Sequence, residues 1–139
     1  MERSSGAAPP RQPGGGDETE RNVERLSVRV EPATAGASVV SLSGELDLST
    51  IPRVESRLFE EMRSADRLVV DLSRLSFIDS SGIGLLIKAF RSTEGSLHVV
   101  IARESQVERV FTLAGIDRAL PIFLDREAAL AALDGGAPG

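Results

Sequence analysis

An α/β domain with a mixed β-sheet and flanking helices, ordered β-β-α-β-α-β-α-β-α, is the fold class the sequence predicts. Three observations carry that expectation. Leu68-Val69-Val70-Asp71-Leu72 and Leu97-His98-Val99-Val100-Ile101 are near-continuous apolar runs, as strands covered on both faces of a parallel sheet are. Between the candidate strands, apolar residues recur at helical spacing. The first two strand candidates are separated by one short turn, close enough to pair as a hairpin, while the rest alternate with helices and require right-handed crossovers.

Taken in order, Leu26-Ser27-Val28-Arg29-Val30-Glu31 alternates with one polar face and suits an edge strand. Pro32 to Gly36 reads as a turn, and Ser38 to Leu46 follows with Val39, Val40, Leu42 and Leu46. Ile51, Val54, Leu58 and Met62 form the stripe of a first helix, with Ser49 or Thr50 as its cap and Pro52 tolerated in its first turn. The third strand begins at Leu68 to Leu72, and Phe77-Ile78 reads as the end of a short strand. Ile83, Leu86, Ile87 and Phe90 form the second stripe. After the Leu97–Ile101 strand, Ser105 and Glu108 make a capping box for a third helix through Val107, Val110, Phe111 and Ala114, closed by Gly115. Pro121 starts a short last strand, where no ladder donor is needed, and Asp125 caps a last helix containing Leu130 and Leu133.

Composition narrows the function. The 139 residues hold no Cys and one His (His98), which removes disulfides, thiolate sites, cysteine nucleophiles and a His-rich metal cage, though not a carboxylate site. The net charge of −5 argues against general nucleic-acid binding, and Lys88 is the only lysine. No apolar run approaches the roughly 20 residues that span a bilayer, and no apolar stretch follows the N-terminal basic residues as in a secretory leader. The expectation is a cytoplasmic chain with no membrane span and no cofactor. Residues 1–23, with Pro9, Pro10, Pro13 and Gly14-Gly15-Gly16, are too polar to offset their ordering entropy and are expected to be a disordered tail. The folded domain is placed at 24–134 and a flexible terminus at 135–139.

The informative stretch is Leu75-Ser76-Phe77-Ile78-Asp79-Ser80-Ser81-Gly82-Ile83-Gly84-Leu85-Leu86. A strand end leads at once into a helix, so Asp79 and Ser80 sit where free backbone N–H groups favour oxyanions. Asp and Ser before a helix are also its ordinary caps, and the two roles are compatible. Gly82 and Gly84 each cost a helix about 1 kcal/mol relative to Ala, which suggests a close approach to the backbone. Gly82-x-Gly84 is no dinucleotide fingerprint, because Ile87 stands at the third glycine position, and no Lys-Ser/Thr follows as in a Walker loop. Ser80-Ser81-Gly82-Ile83-Gly84 also fails the G-x-S-x-G elbow, and the one His lies in an apolar run, so a serine hydrolase lacks its base. Gly44-Glu45-Leu46-Asp47 ends the second strand on the edge where the third strand exits, so Glu45, Asp47 and Asp79 are expected to converge near Ser80. A glycosidase pair is disfavoured by the absence of Trp and Tyr to hold a sugar ring.

Three segments in this order, Gly44-Glu45-Leu46-Asp47, Leu75-x-Phe77-Ile78-Asp79-Ser80-Ser81-Gly82-Ile83-Gly84-Leu85 and Arg109-Val110-Phe111-x-Leu113-x-Gly115-Ile116, resemble the STAS domain. More narrowly, they resemble the stand-alone bacterial anti-sigma factor antagonists. The likeness runs from about Leu26 to Leu133. It implies a STAS-like mixed sheet, no catalytic activity, and a partner that is both an anti-sigma factor and a serine kinase, with a serine phosphatase to reverse its action. It further implies phosphorylation of Ser80 and a partner-binding set of Glu45, Asp47, Ser49, Asp79, Ser80, Ser81, Gly82 and Ile83. The chain is expected to be a monomer or weak dimer. A non-enzymatic STAS scaffold subunit of a stress-signalling or lipid-transport complex is the other reading the resemblance leaves open.

Overall fold

The computed structural model describes residues 25–33 and 36–136, the last three as backbone only. The tail expected at 1–23 and the end of the expected flexible terminus, 137–139, lie outside the described residues. Five strands form one sheet in the order β1-β2-β3-β4-β5: β1 Leu26–Pro32, β2 Ala37–Leu46, β3 Arg67–Ile78, β4 Leu97–Val100 and β5 Ile122–Phe123. The β1–β2 pair is antiparallel and the other three pairs are parallel, the mixed sheet that the alternation of elements predicts. β1 takes the edge, as its polar face requires.

Side-chain alternation on the strands divides the apolar residues between two layers. Val40, Leu42, Val70, Leu72 and Val99 face a large core with α1 (Ile51–Ser64), α2 (Ser80–Ser92) and α3 (Gln106–Ala114). Val39, Val69 and Val100 face a smaller one with Ala129 and Leu133 of α4 (Arg126–Gly136). The helix α4 thus continues past Asp134, where the domain was expected to end.

Four local expectations change. β3 is one twelve-residue strand that carries the Leu68–Leu72 run on through Ile78, longer than a short strand. Its register against β2 shifts between Ser41 and Ser43 and again between Gly44 and Glu45. After Leu72, buried Leu75 and Ile78 are therefore separated by pairs of exposed residues, which hides the period of two. The buried face of α2 is Gly82, Leu85, Leu86 and Ala89, while Ile83, Ile87 and Phe90 are only half-buried. The large residues mislead because the small ones, Gly82 and Ala89, set how closely the helix approaches the sheet. At α1 the side chain of Thr50 caps nothing; the N–H groups of Ser49 and Thr50 donate to Asp47 Oδ1 instead. At α3 the Ser105 hydroxyl accepts from Glu108 N–H as expected, but the Glu108 carboxylate takes the N–H of Glu104, one residue before the cap. Gly115 closes that helix at φ +68°, and Asp125 accepts from Ala128 N–H at 2.7 Å.

Candidate functional site

Because β2 and β3 run parallel with Leu46 beside Ile78, the segments that follow them leave the sheet at the same edge. Asp79 N–H donates to the Leu46 carbonyl at 3.2 Å, extending the pairing by one bond. The Asp79 side chain then serves two segments. Its Oδ1 accepts from Ser81 N–H at 3.0 Å, Gly82 N–H at 3.2 Å and the Ser81 hydroxyl at 2.5 Å, capping α2. Its Oδ2 accepts from Leu48 N–H at 3.3 Å, holding the β2–α1 loop against the start of the helix. Partial burial opposes the charge of Asp79, but the Ser81 hydroxyl and the N–H groups of Gly82, Leu48 and Ser81 outweigh it and hold the carboxyl below its usual range.

The two adjacent serines are placed differently. Ser81 has its hydroxyl committed to Asp79 and is half-buried. Ser80 is exposed, and its hydroxyl bonds to none of the described residues. Of the two serines, only Ser80 has an exposed hydroxyl with no partner among the described residues.

On the other side of Leu48, Asp47 Oδ1 accepts from the Ser49 hydroxyl at 2.7 Å and from the backbone of Ser49 and Thr50. Burial again opposes the charge; the Ser49 hydroxyl, the charge of Arg25 and the two N–H groups outweigh it, so this carboxyl also lies low. The Arg25 guanidinium pairs with Asp47, donates to Glu45 at 3.0 Å and reaches the Ser49 hydroxyl at 3.0 Å. Leu48, between the two aspartates, is 75% exposed, and Phe77 is also exposed.

Arg25 joins Glu45 to Asp47, and Asp79 reaches the same loop through the Leu48 N–H. Ile83 is half-buried, leaving part of its side chain accessible. Gly82 departs from the expected partner-facing set: it is buried, and an added Cβ would lie 2.7 Å from Ile78 Cγ1 and 3.0 Å from Leu46 Cγ. The close approach it permits is that of the protein's own strands. Gly84 has nothing within 4 Å of its Cβ position, so no such contact explains it. Arg25 and Leu48 went unnoticed in the sequence. Leu48 in a polar turn is a visible signal; Arg25 has none, since only the β1–β2 pairing brings it to the loop.

His98, on interior strand β4, pairs with Val69 near the end of β3 opposite Ile78. It stacks on Phe123, and its Nδ1 lies 3.2 Å from the Ala129 carbonyl, as expected of a satisfied histidine. Among the described residues no His/Asp/Glu group fit for a metal ion occurs, and no helix is long and apolar enough to cross a membrane.

The STAS domain family matches residues 28–129. The anti-sigma F factor antagonist of Paenibacillus polymyxa is 30% identical over 103 residues, which cover 71% of this chain and 88% of that protein. The crystal structure of an anti-sigma factor antagonist from Mycobacterium paratuberculosis superposes with a TM-score of 0.72 at 31% identity, covering 78% of this chain and 94% of that one. The Bacillus cell-fate determinant SpoIIAA in its phosphorylated form superposes with a TM-score of 0.54 at 25% identity, covering 73% and 96%.

Proposed function

The chain belongs to the STAS domain family, and from that premise we propose that it is an anti-sigma factor antagonist switched by phosphorylation of Ser80. The unphosphorylated form binds an anti-sigma factor that is also a serine kinase, through the start of α2 and the Asp47–Ser49 loop, and so frees the sigma factor. The chain supplies a surface and an acceptor hydroxyl; the partner supplies Mg-ATP and the catalytic groups. The observation that carries this reading is the contrast between Ser80, exposed with an unbonded hydroxyl, and Ser81, tied to the cap. The names of the relatives and the phosphorylated form of one of them point the same way.

A phosphate on Ser80 adds about −1.5 to −2 charge at neutral pH. The helix N-terminus offers it little, because Asp79 already takes the N–H groups of Ser81 and Gly82. Asp47 and Asp79 are both held ionised, so the new charge joins an acidic edge. At the partner, a dianion must be desolvated against a surface shaped for a hydroxyl and for Leu48. Turning occupancy from 99:1 to 1:99 requires about 5.5 kcal/mol of differential affinity, a scale that an unpaired buried charge reaches. No rearrangement of the fold is required.

Incubation with the cognate kinase and Mg-ATP is expected to add one phosphate to the tryptic peptide from Leu75 to Lys88, on Ser80. Phosphate on Ser81, or none, refutes the assignment. Ser80→Ala is expected to bind the kinase and resist modification, while Ser80→Asp binds weakly; equal binding of the two rules out the electrostatic switch.

A further inference from the structure

Arg25 lies before the span that matches the family and outside all three family-like segments, yet it touches three residues of the loop beside Ser80. Its place is set by backbone contact. Gly44, at φ +103°, pairs with the next residue, Leu26, and a Cβ at Gly44 would sit 1.8 Å from the Arg25 carbonyl oxygen. Only glycine fits there, on both conformational and steric grounds. The next residue, Leu26, is fully buried and gives its carbonyl to Arg53 of α1 at 3.0 Å. The base of Arg25 is therefore held by strand pairing, by core burial and by α1.

From that base the guanidinium reaches Glu45 and Asp47 at the end of β2 and Ser49 just before α1. Its bond to Glu45, against some opposition from desolvation and with the charges of Asp47 and Glu45 added, raises its pKa; arginine carries its positive charge at any working pH. The planar fork of arginine holds three acceptors at once, which a lysine ammonium on a flexible stem does not reproduce. Leu48 is thereby braced from two sides, by Arg25 through Asp47 and Ser49, and by Asp79 through its own N–H.

We propose that Arg25 is a positioning residue for the Ser80 surface: its three-way contact with Glu45, Asp47 and Ser49 fixes the loop that presents Leu48 before a partner arrives. The proposal rests on the antagonist reading for its consequence, and on geometry alone for its mechanism. A loop ordered in advance loses less freedom on binding, so the gain appears as affinity. Arg25 bonds to Glu45, Ser49 and Asp47 and not to Ser80, so the phosphoryl-transfer step itself is left unchanged.

Two measurements test it. In hydrogen exchange of the chain alone, Arg25→Ala is expected to lose protection at the Ser49 and Thr50 amides, which donate to Asp47, while the amides of β4 remain unchanged. In steady-state phosphorylation by the cognate kinase, Arg25→Ala is expected to raise KM about threefold to fivefold, the upper range for one exposed ion-pair cluster, with kcat unaltered. Arg25→Lys should recover only part of both effects. Full recovery by lysine overturns the proposal in favour of charge alone, and unchanged exchange with unchanged KM, or a fall in kcat instead, overturns it outright. If the wild-type chain is not a substrate, the antagonist reading fails, and the exchange arm still decides the role of Arg25.

Discussion

Asp47 with Arg25, at the exit edge of the sheet, and Asp71 with Arg126, beneath the start of α4, are assembled from the same parts. Each has a carboxylate held below its usual range, a guanidinium fork, a serine and a second acidic residue. Arg126 donates to Asp71 twice, at 3.0 and 2.9 Å, to Glu31 at 3.0 Å and to Ser41 at 2.8 Å, joining α4 to three strands. The difference is burial. Asp71 lies within β3 with 9% of its side chain exposed, whereas Asp47 lies in the loop after β2 with twice that, 18%; the two arginines are alike at 39% and 35%. A buried carboxylate that loses its partner keeps its desolvation penalty; an exposed one recovers water. The same chemistry therefore secures the fold at Asp71 and arranges a surface at Asp47.

The largest effect that can break this contrast is at Arg126. Arg126→Ala is expected to lower unfolding stability by about 2 kcal/mol, because charged hydrogen bonds are lost and Asp71 is left buried; an unchanged urea midpoint would remove the distinction between the pairs. Gly82→Ala comes next, with a loss of about 1 kcal/mol, since overpacking against Ile78 and Leu46 exceeds the gain in helix propensity. Gly84→Ala, two residues on with open space at its Cβ, is expected to gain up to about 1 kcal/mol. Opposite signs at the two glycines would show that α2 packs closely on the ends of β2 and β3 at Gly82 and not at Gly84.

Acid sharpens the same comparison. The carboxyls of Asp47, Asp71 and Asp79 are all lowered in the folded chain. Their contribution is therefore complete above the unfolded value of about 3.9 and is lost as pH falls through the lower folded values. Burial also lowers the pKa of His98, so some stability is lost as pH falls below about 6.5, and urea midpoints are expected to decline gently from there and steeply below about 4. Asp71→Asn should start lower at pH 7 and lose less on acidification than the wild type. The smallest effect is at Arg25, where Ala is expected to leave the urea midpoint unchanged while altering exchange in the loop.

Much of this was legible in one dimension. The apolar runs at Val69 and Val99 could hardly be anything but covered strands, and Ser105, Gly115 and Asp125 end or begin helices through bonds to near neighbours. Local chemistry acts over a few residues, which a sequence displays directly. The continuity of β3 through Ser73 and Arg74 was hidden, because bulges opposite β2 decide which residues face inward. The buried face of α2 was displaced for a related reason: Gly82 and Ala89 become informative only when Leu46 and Ile78 lie beneath them.

What the sequence determined by itself is the order of elements, the edge position of β1, and a helix starting at Asp79-Ser80 with an acidic turn before α1. Each follows from periodicity, capping or composition. The tertiary structure alone decided that Ser80, not Ser81, keeps a free hydroxyl, that Gly82 serves the core, and that Arg25 braces a loop it precedes by some twenty residues. These depend on which strands pair and how closely a helix approaches them, and such distances are set by packing between segments remote in the chain.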